Sequence, residues 1–177
     1  MGEPSTKTVI VVIMGGTGSG KTTIGRLLAA RLGVPYAEAD AFHPPANVAK
    51  MAAGHPLDDT DREPWLAAIA DWIKANAETG GVVSCSALKI RYRQLLQAAD
   101  PAVWFLHLEI DRETVTRRVA ARTGHFMPAS LVESQFQALE PLGPDERGMA
   151  VDATAPPATI ADTVVARLVA EGNISAR

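Results

Sequence analysis

The feature that most constrains this chain is a glycine-rich turn between two patterned stretches: Gly15, Gly16, Thr17, Gly18, Ser19, Gly20, Lys21 and Thr22 follow the Val/Ile-rich run 8–14 and precede 23–32, where apolar residues recur at helical spacing. The turn matches G-x-x-x-x-G-K-[ST] in the setting its chemistry requires, after a buried strand and at the opening of a helix. Glycines adopt backbone angles that other residues resist, so successive N–H groups can converge on phosphate oxygens at the positive end of a helix. Lys21 then reaches the β and γ phosphates, and the Thr22 hydroxyl is the expected Mg²⁺ ligand. The whole loop, with Thr23 just after it, forms the expected nucleotide-binding set. Kinases, GTPases and motor ATPases all use such a loop, so on its own it points only to a nucleotide.

The pattern repeats along the chain. After the first strand, strands are expected at 35–39, 82–86, 103–110 and, more weakly, 148–153. Helices are expected at 45–53, 62–78, 89–98, 112–121, 129–139 and 158–170. Strands alternating with helices imply right-handed crossovers and a parallel sheet covered on both faces, the α/β class. Two segments interrupt the pattern, 43–60 with Pro44, Pro45, Gly54 and Pro56, and 123–128 with Gly124 and Pro128. Each is either a mobile cover over a site or a surface connection.

The 177 residues fit one domain with its own core. Seventeen basic against 20 acidic side chains, a formal charge of −3, provide no global positive field for nucleic acid or an anionic membrane, which leaves a small molecule as the expected partner. The lone cysteine, Cys85, has no intrachain partner, so the chain needs no oxidising compartment and a cytoplasmic location is expected. Residues 1–7 are polar, and the apolar run 9–14 is too short to span a bilayer.

Phosphate-loop folds often close a second strand with a Mg²⁺-holding carboxylate. The third strand here ends instead in Ser84, Cys85 and Ser86. Glu38 and Asp40, at the end of the second strand, become the substitutes, because the carboxyl ends of parallel strands open onto one crevice. Asp40 suits either proton acceptance from an attacking hydroxyl or orientation of Mg²⁺-bound water, and capping of a following short helix is the alternative.

These residues also resemble a known family. The phosphate loop, then Ala39-Asp40-Ala41-Phe42-His43-Pro44, Asn47 and Lys50-Met51, is similar to the gluconokinases of the nucleoside-monophosphate-kinase-like group. The resemblance continues through Pro56-Leu57-Asp58-Asp59-Thr60-Asp61-Arg62-Glu63-Pro64-Trp65-Leu66, Cys85-Ser86-Ala87-Leu88-Lys89, Tyr92-Arg93, Arg122-Thr123-Gly124-His125-Phe126, Ser134-Gln135-Phe136 and Leu139-Glu140, in that family's order and spacing over roughly residues 9–169. It implies transfer of the ATP γ-phosphoryl group to the 6-hydroxyl of D-gluconate, giving 6-phosphogluconate for the pentose phosphate or Entner–Doudoroff routes. It also implies a three-layer fold with a five-stranded parallel sheet in the order 2-3-1-4-5, a mobile lid near 123–130 and commonly a homodimer. One departure is Glu38, where many relatives carry aspartate. Rival readings are another small-molecule kinase of this fold, such as a shikimate kinase, and a nucleotide-binding switch that phosphorylates nothing.

An anionic, hydroxyl-rich substrate calls for a cation and several polar groups. Lys50, Arg62, Lys89 and Arg93 fall in or beside the family blocks, as does Gln135, and His43 and His125 suit hydroxyls. For each cation a solvated helix charge is the alternative. Arg118 and Arg122 share a helical face at the entrance to the Gly124 break. The resemblance suggests that Arg118 lies against adenine and that Arg122 swings onto the transferring phosphate, with Asp152 and Thr154 edging the adenine site. Trp65, Ile69, Trp72 and Ile73 read as a buried stripe, Asp61 as a helix cap, and Cys85 as inert.

Overall fold

The computed structural model describes residues 8–121 and 129–176. Five strands, β1 (Ile10–Met14), β2 (Tyr36–Glu38), β3 (Gly81–Ser84), β4 (Val103–Glu109) and β5 (Gly148–Asp152), pair in parallel in the order β2-β3-β1-β4-β5. The α/β class and the strand order expected from the sequence are therefore present. The helices are α1 (Lys21–Leu32), α2 (Pro45–Ala52), α3 (Asp59–Ala75), α4 (Ile90–Ala99), α5 (Arg112–Ala120), α6 (Ala129–Ala138) and α7 (Pro157–Ala170), with a 3₁₀ turn at Ala39–Phe42.

Side chains alternate across a strand, so β1 feeds two cores at once. Ile10, Val12 and Met14 join Val83, Val103 and Phe105 under Trp65, Leu66, Ile69 and Ile73 of α3 and Tyr92 and Leu96 of α4. Val11 and Ile13 join Val82, Trp104, Leu106 and Leu108 under Ile24 and Leu28 of α1 and Ile160, Val164 and Leu168 of α7. Burial on both faces explains why β1 reads as an unbroken apolar run rather than an alternating one. Each of these fully buried aliphatic side chains contributes on the order of 1.5–3 kcal/mol.

Two expectations shift. The helix expected at 62–78 begins three residues earlier, at Asp59, because Asp58 and not Asp61 is the N-cap. Asp58 accepts from the Asp61 amide at 2.7 Å, while Asp61 accepts from the Asp58 amide at 3.0 Å, a reciprocal capping box. Pro64 consequently sits inside the helix, where it removes one intrahelical hydrogen bond. Within the segment 43–60, α2 stands where a helix was expected at 45–53. The expected cover at 123–130 and the tail 1–7 fall mostly outside the described residues, and among those described no helix is long and apolar enough to cross a membrane.

The register decides what meets at the sheet's carboxyl edge. Ile13 pairs with both Ser84 and Leu106, and Glu38 pairs with Ser84, so the ends of β1, β2 and β3 bring Gly15, Glu38 and Ser84 to one rim.

Candidate active site

The phosphate loop is held from within. Gly20 takes φ 93° as the N-cap of α1, a conformation that a β-carbon would strain, and it offers no capping side chain. No acidic residue lies in the first turn of α1 either, so no side chain caps the helix and its positive end is presented at the loop. Ser19, almost fully buried, donates its hydroxyl to the Gly16 carbonyl at 2.7 Å and braces the turn. Lys21 lies back across the loop, donating to the carbonyls of Gly15 (2.8 Å) and Gly16 (3.0 Å). Gly18 is bridged by Arg118, which donates to its carbonyl at 3.1 Å and to that of Ala153 at 3.2 Å. Beyond β5, Asp152 accepts from the amide (2.8 Å) and hydroxyl (2.6 Å) of Thr154, which lowers the Asp152 carboxyl below its usual range. Arg118 thus ties the loop to the segment at the end of β5 that carries Asp152 and Thr154, and Thr23 is exposed in the first turn of α1.

On the other side stands the acid pair. The Thr22 hydroxyl donates to Glu38 Oε1 at 2.5 Å, so Glu38, not Asp40, is the carboxylate in contact with Thr22. Asp40 lies on the 3₁₀ turn after β2, exposed, and among the described residues its carboxylate accepts no hydrogen bond and caps no helix. Its charge is felt at both His43 and Cys85. The turn is fixed from below by Trp65, whose indole N–H donates to the Ala39 carbonyl at 2.7 Å. His43 stacks on Trp65 with ring centroids 4.5 Å apart and 9° between planes, and burial pushes its pKa down, so it is neutral near pH 7. Cys85 is buried, and loss of solvation raises its thiol to about 12, in keeping with an inert side chain.

The four cations expected near an anionic substrate separate into two groups. Lys89 Nζ lies 3.5 Å from Asp59, and Arg62 donates to the Tyr92 hydroxyl at 3.3 Å. Both also lie over the Tyr92 ring, each 5.7 Å from its centroid. Arg91 joins them, 2.9 Å from Asp59, which also accepts from the Tyr92 hydroxyl. Tyr92 and Asp59 are therefore the hub of a basic cluster that we did not single out from sequence, although Tyr92 stood within a quoted family block. Lys50 is paired with Asp61 at 2.5 Å, next to the α3 cap.

Arg93 is the correction. Its side chain is completely buried and faces away from the crevice into the protein. It grips Glu146 through two bonds, at 2.6 and 3.1 Å, and donates to the carbonyls of Ala87 (2.8 Å), Leu88 (3.2 Å), Glu140 (2.9 Å) and Pro141 (3.3 Å). With its donors committed, it has nothing left to offer a substrate carboxylate. Burial alone would raise the Glu146 carboxyl, but the bonds from Arg93 and the Gly143 amide outweigh it and hold the pKa down.

Gln135 is displaced from its expected role as well. It accepts from the Thr17 amide at 2.8 Å and donates to the Thr17 hydroxyl at 3.3 Å, so it latches α6 to the phosphate loop and stands apart from the basic cluster. Beside it lies a cavity of about 180 Å³ lined by Thr17, Leu88, His107, Val115, Phe136 and Leu139 among others. His107 is buried and neutral, its pKa lowered by desolvation, and its Nδ1 has no partner among the described residues. Arg122 and His125 lie outside the described residues.

The arrangement has an uncapped helix start, a lysine and a hydroxyl–carboxylate pair at one rim, the exposed Asp40 on the turn after β2, and a basic cluster around Tyr92. It can hold a polyphosphate at one end and an anionic, hydroxylated acceptor at the other.

Comparison with known proteins narrows the chemistry. A family model described as shikimate kinase matches residues 17–166. The gluconokinase of Gluconobacter oxydans (strain 621H) is 43% identical over 163 residues, which make up 91% of this chain and 92% of that protein. The thermosensitive gluconokinase of Escherichia coli (strain K12) is 46% identical over 140 residues, 77% of this chain and 74% of its own length. The crystal structure of a gluconokinase from Sinorhizobium meliloti 1021 superposes with a TM-score of 0.85 at 41% identity, covering 94% of this chain and 96% of that one.

Proposed function

The chain belongs to the gluconokinases, within the shikimate kinase family, and from that premise we propose how its crevice moves a phosphoryl group from ATP to the 6-hydroxyl of D-gluconate. The observation that carries the reading is the start of α1, which no side chain caps, with Lys21, Thr22 and Glu38 at it and the exposed Asp40 on the turn after β2.

The triphosphate settles at the loop and the uncapped start of α1, drawing Lys21 from the Gly15 and Gly16 carbonyls onto the β and γ phosphates. Arg118, Asp152 and Thr154 border the base. The gluconate carboxylate is met by the cluster of Arg62 and Lys89 around Tyr92, and His43, neutral and stacked, is suited to a hydroxyl of its chain. Asp40 orients the attacking hydroxyl and accepts its proton as the bond to phosphorus forms. A phosphoryl group in transit spreads charge over its oxygens, and the proposal assigns Arg122 to that charge when the segment 123–130 closes, with His125 at the acceptor. Closure excludes water, the competing acceptor.

Mg²⁺, which kinases commonly take with ATP, would neutralise phosphate charge here. The donors fit it, since the Thr22 hydroxyl and the Glu38 and Asp40 carboxylates are hard oxygens, and few protein ligands suffice when phosphate and water supply the rest. The proposal also includes one catalytic domain over 1–177, from the chain's length, a cytoplasmic location, from the lone cysteine, and a homodimer, which rests on the family resemblance.

Two variants test the assignment. Lys21→Ala should abolish transfer, whereas Asp40→Asn should lower turnover with D-gluconate by about 10²-fold or more and leave ATP binding nearly intact. An Asp40→Asn enzyme with wild-type turnover removes Asp40 from the mechanism.

A further inference from the structure

The third strand lacks the acid that often completes a phosphate-loop metal site, and the structure shows how a carboxylate from the second strand reaches the same place. Glu38 Oε1 accepts two hydrogen bonds, from the Thr22 hydroxyl at 2.5 Å and from the Tyr36 hydroxyl at 2.7 Å. The Tyr36 oxygen in turn lies 2.8 Å from Ser84 Oγ, which also reaches the Lys21 carbonyl at 3.0 Å. Register makes this possible: Tyr36 and Glu38 are two residues apart on one face of β2, and Glu38 pairs with Ser84 across the strand boundary.

Room for the ring is built into α1. A β-carbon at Gly25 would lie 2.4 Å from Tyr36 Cε2 and 2.9 Å from Ser84 Oγ, so only glycine admits the phenol at this point. Arg26, the next residue, lies over the ring, 5.9 Å from its centroid.

We propose that Tyr36 is a positioning residue for the divalent metal: its hydroxyl, anchored by Ser84, holds Glu38 so that the carboxylate takes the Thr22 proton. A hydroxyl that gives its one proton to a carboxylate turns its lone pairs elsewhere, and those lone pairs are what a metal needs. Both donors fall on Oε1, so Oε2 is available to a metal-bound water. The device also accounts for glutamate at position 38. Its longer side chain would wander without a second donor, and the phenol supplies one. The inference rests on the Mg²⁺–nucleotide reading above but not on the identity of the acceptor.

The test uses the intact protein with ADP and Mn²⁺, read by the electron paramagnetic resonance of free Mn²⁺, so no sugar is involved. Tyr36→Phe keeps the ring and its packing and removes only the hydroxyl. We expect about 10-fold or greater weakening of Mn²⁺ affinity for the enzyme–ADP complex, with ADP affinity in EDTA unchanged. In a Glu38→Gln background, Tyr36→Phe should add less than twofold, because both act on the same carboxylate. Mn²⁺ affinity within twofold of wild type in Tyr36→Phe overturns the positioning role, as does full additivity with Glu38→Gln. A wild-type enzyme–ADP complex that binds no Mn²⁺ overturns the metal reading itself.

Discussion

Replacing Arg93 by methionine tests whether this arginine is an internal tie or a substrate ligand. Methionine fills similar space and donates nothing, so the carbonyls of Ala87, Leu88, Glu140 and Pro141 and the Glu146 carboxylate lose the guanidinium together, Leu88 keeping the Glu140 amide and Glu146 the Gly143 amide. Breaking one side of a buried ion pair costs about 3–5 kcal/mol, chiefly because the surviving charge is stranded. The Arg93 side chain is 0% exposed and that of Glu146 is 17% exposed, which places the pair in this regime and outside the weak surface class. With a urea m-value of about 2 kcal/mol/M, the unfolding midpoint should fall by about 1.5–2.5 M. Glu146 relieves part of its strain by taking a proton, so the deficit should shrink as the pH is lowered from 7 towards 4.5. Chemical denaturation followed by tryptophan fluorescence, at both pH values and alongside gluconate KM for Arg93→Lys, reads all of this. A midpoint shift below about 0.5 M in Arg93→Met, with a large rise in gluconate KM for Arg93→Lys at unchanged stability, refutes the internal tie and returns Arg93 to the substrate.

Two further outcomes follow from buried groups. His107 and His43 are held neutral, with folded pKa values below the unfolded value near 6.5, so the unfolded chain binds more protons and stability should fall as pH drops below about 6.5; in His107→Phe, thermal midpoints measured from pH 7.5 to 5 should decline less steeply, and an unchanged slope would count against His107 as a source. Trp65→Phe strands the buried Ala39 carbonyl and should cost about 1–3 kcal/mol in a denaturation curve, while turnover with D-gluconate falls more than ATP affinity because the turn carrying Asp40 loses its support.

What could be read from the chain follows the range over which each signal acts. The phosphate loop is local: eight residues and the two patterns flanking them are sufficient, and the strand–loop–helix around Gly15–Thr22 stands where it was expected. The start of α3 was misjudged because Asp58, Asp59 and Asp61 are all capable caps, and Glu63-Pro64 imitates a first turn; which acid caps depends on backbone geometry that composition does not carry. Arg93 and Arg62 looked equivalent as charges. They differ because Glu146, 53 residues away from Arg93, neutralises one of them inside the protein. Gln135 meets Thr17 across 118 residues, a contact no local pattern encodes. The sequence favours Asp40 over Glu38, whereas the contact of Glu38 with Thr22 depends on Tyr36, Ser84 and Gly25 meeting at the join of β2, β3 and α1.

The most direct test of the central claim is a coupled ADP-release assay on the purified protein with ATP, Mg²⁺ and, in parallel, D-gluconate, shikimate, AMP or no acceptor. The account predicts ADP release that depends on D-gluconate and matches 6-phosphogluconate formed, with shikimate and AMP near the acceptor-free background. Release that ignores D-gluconate, or that responds equally to shikimate, contradicts it.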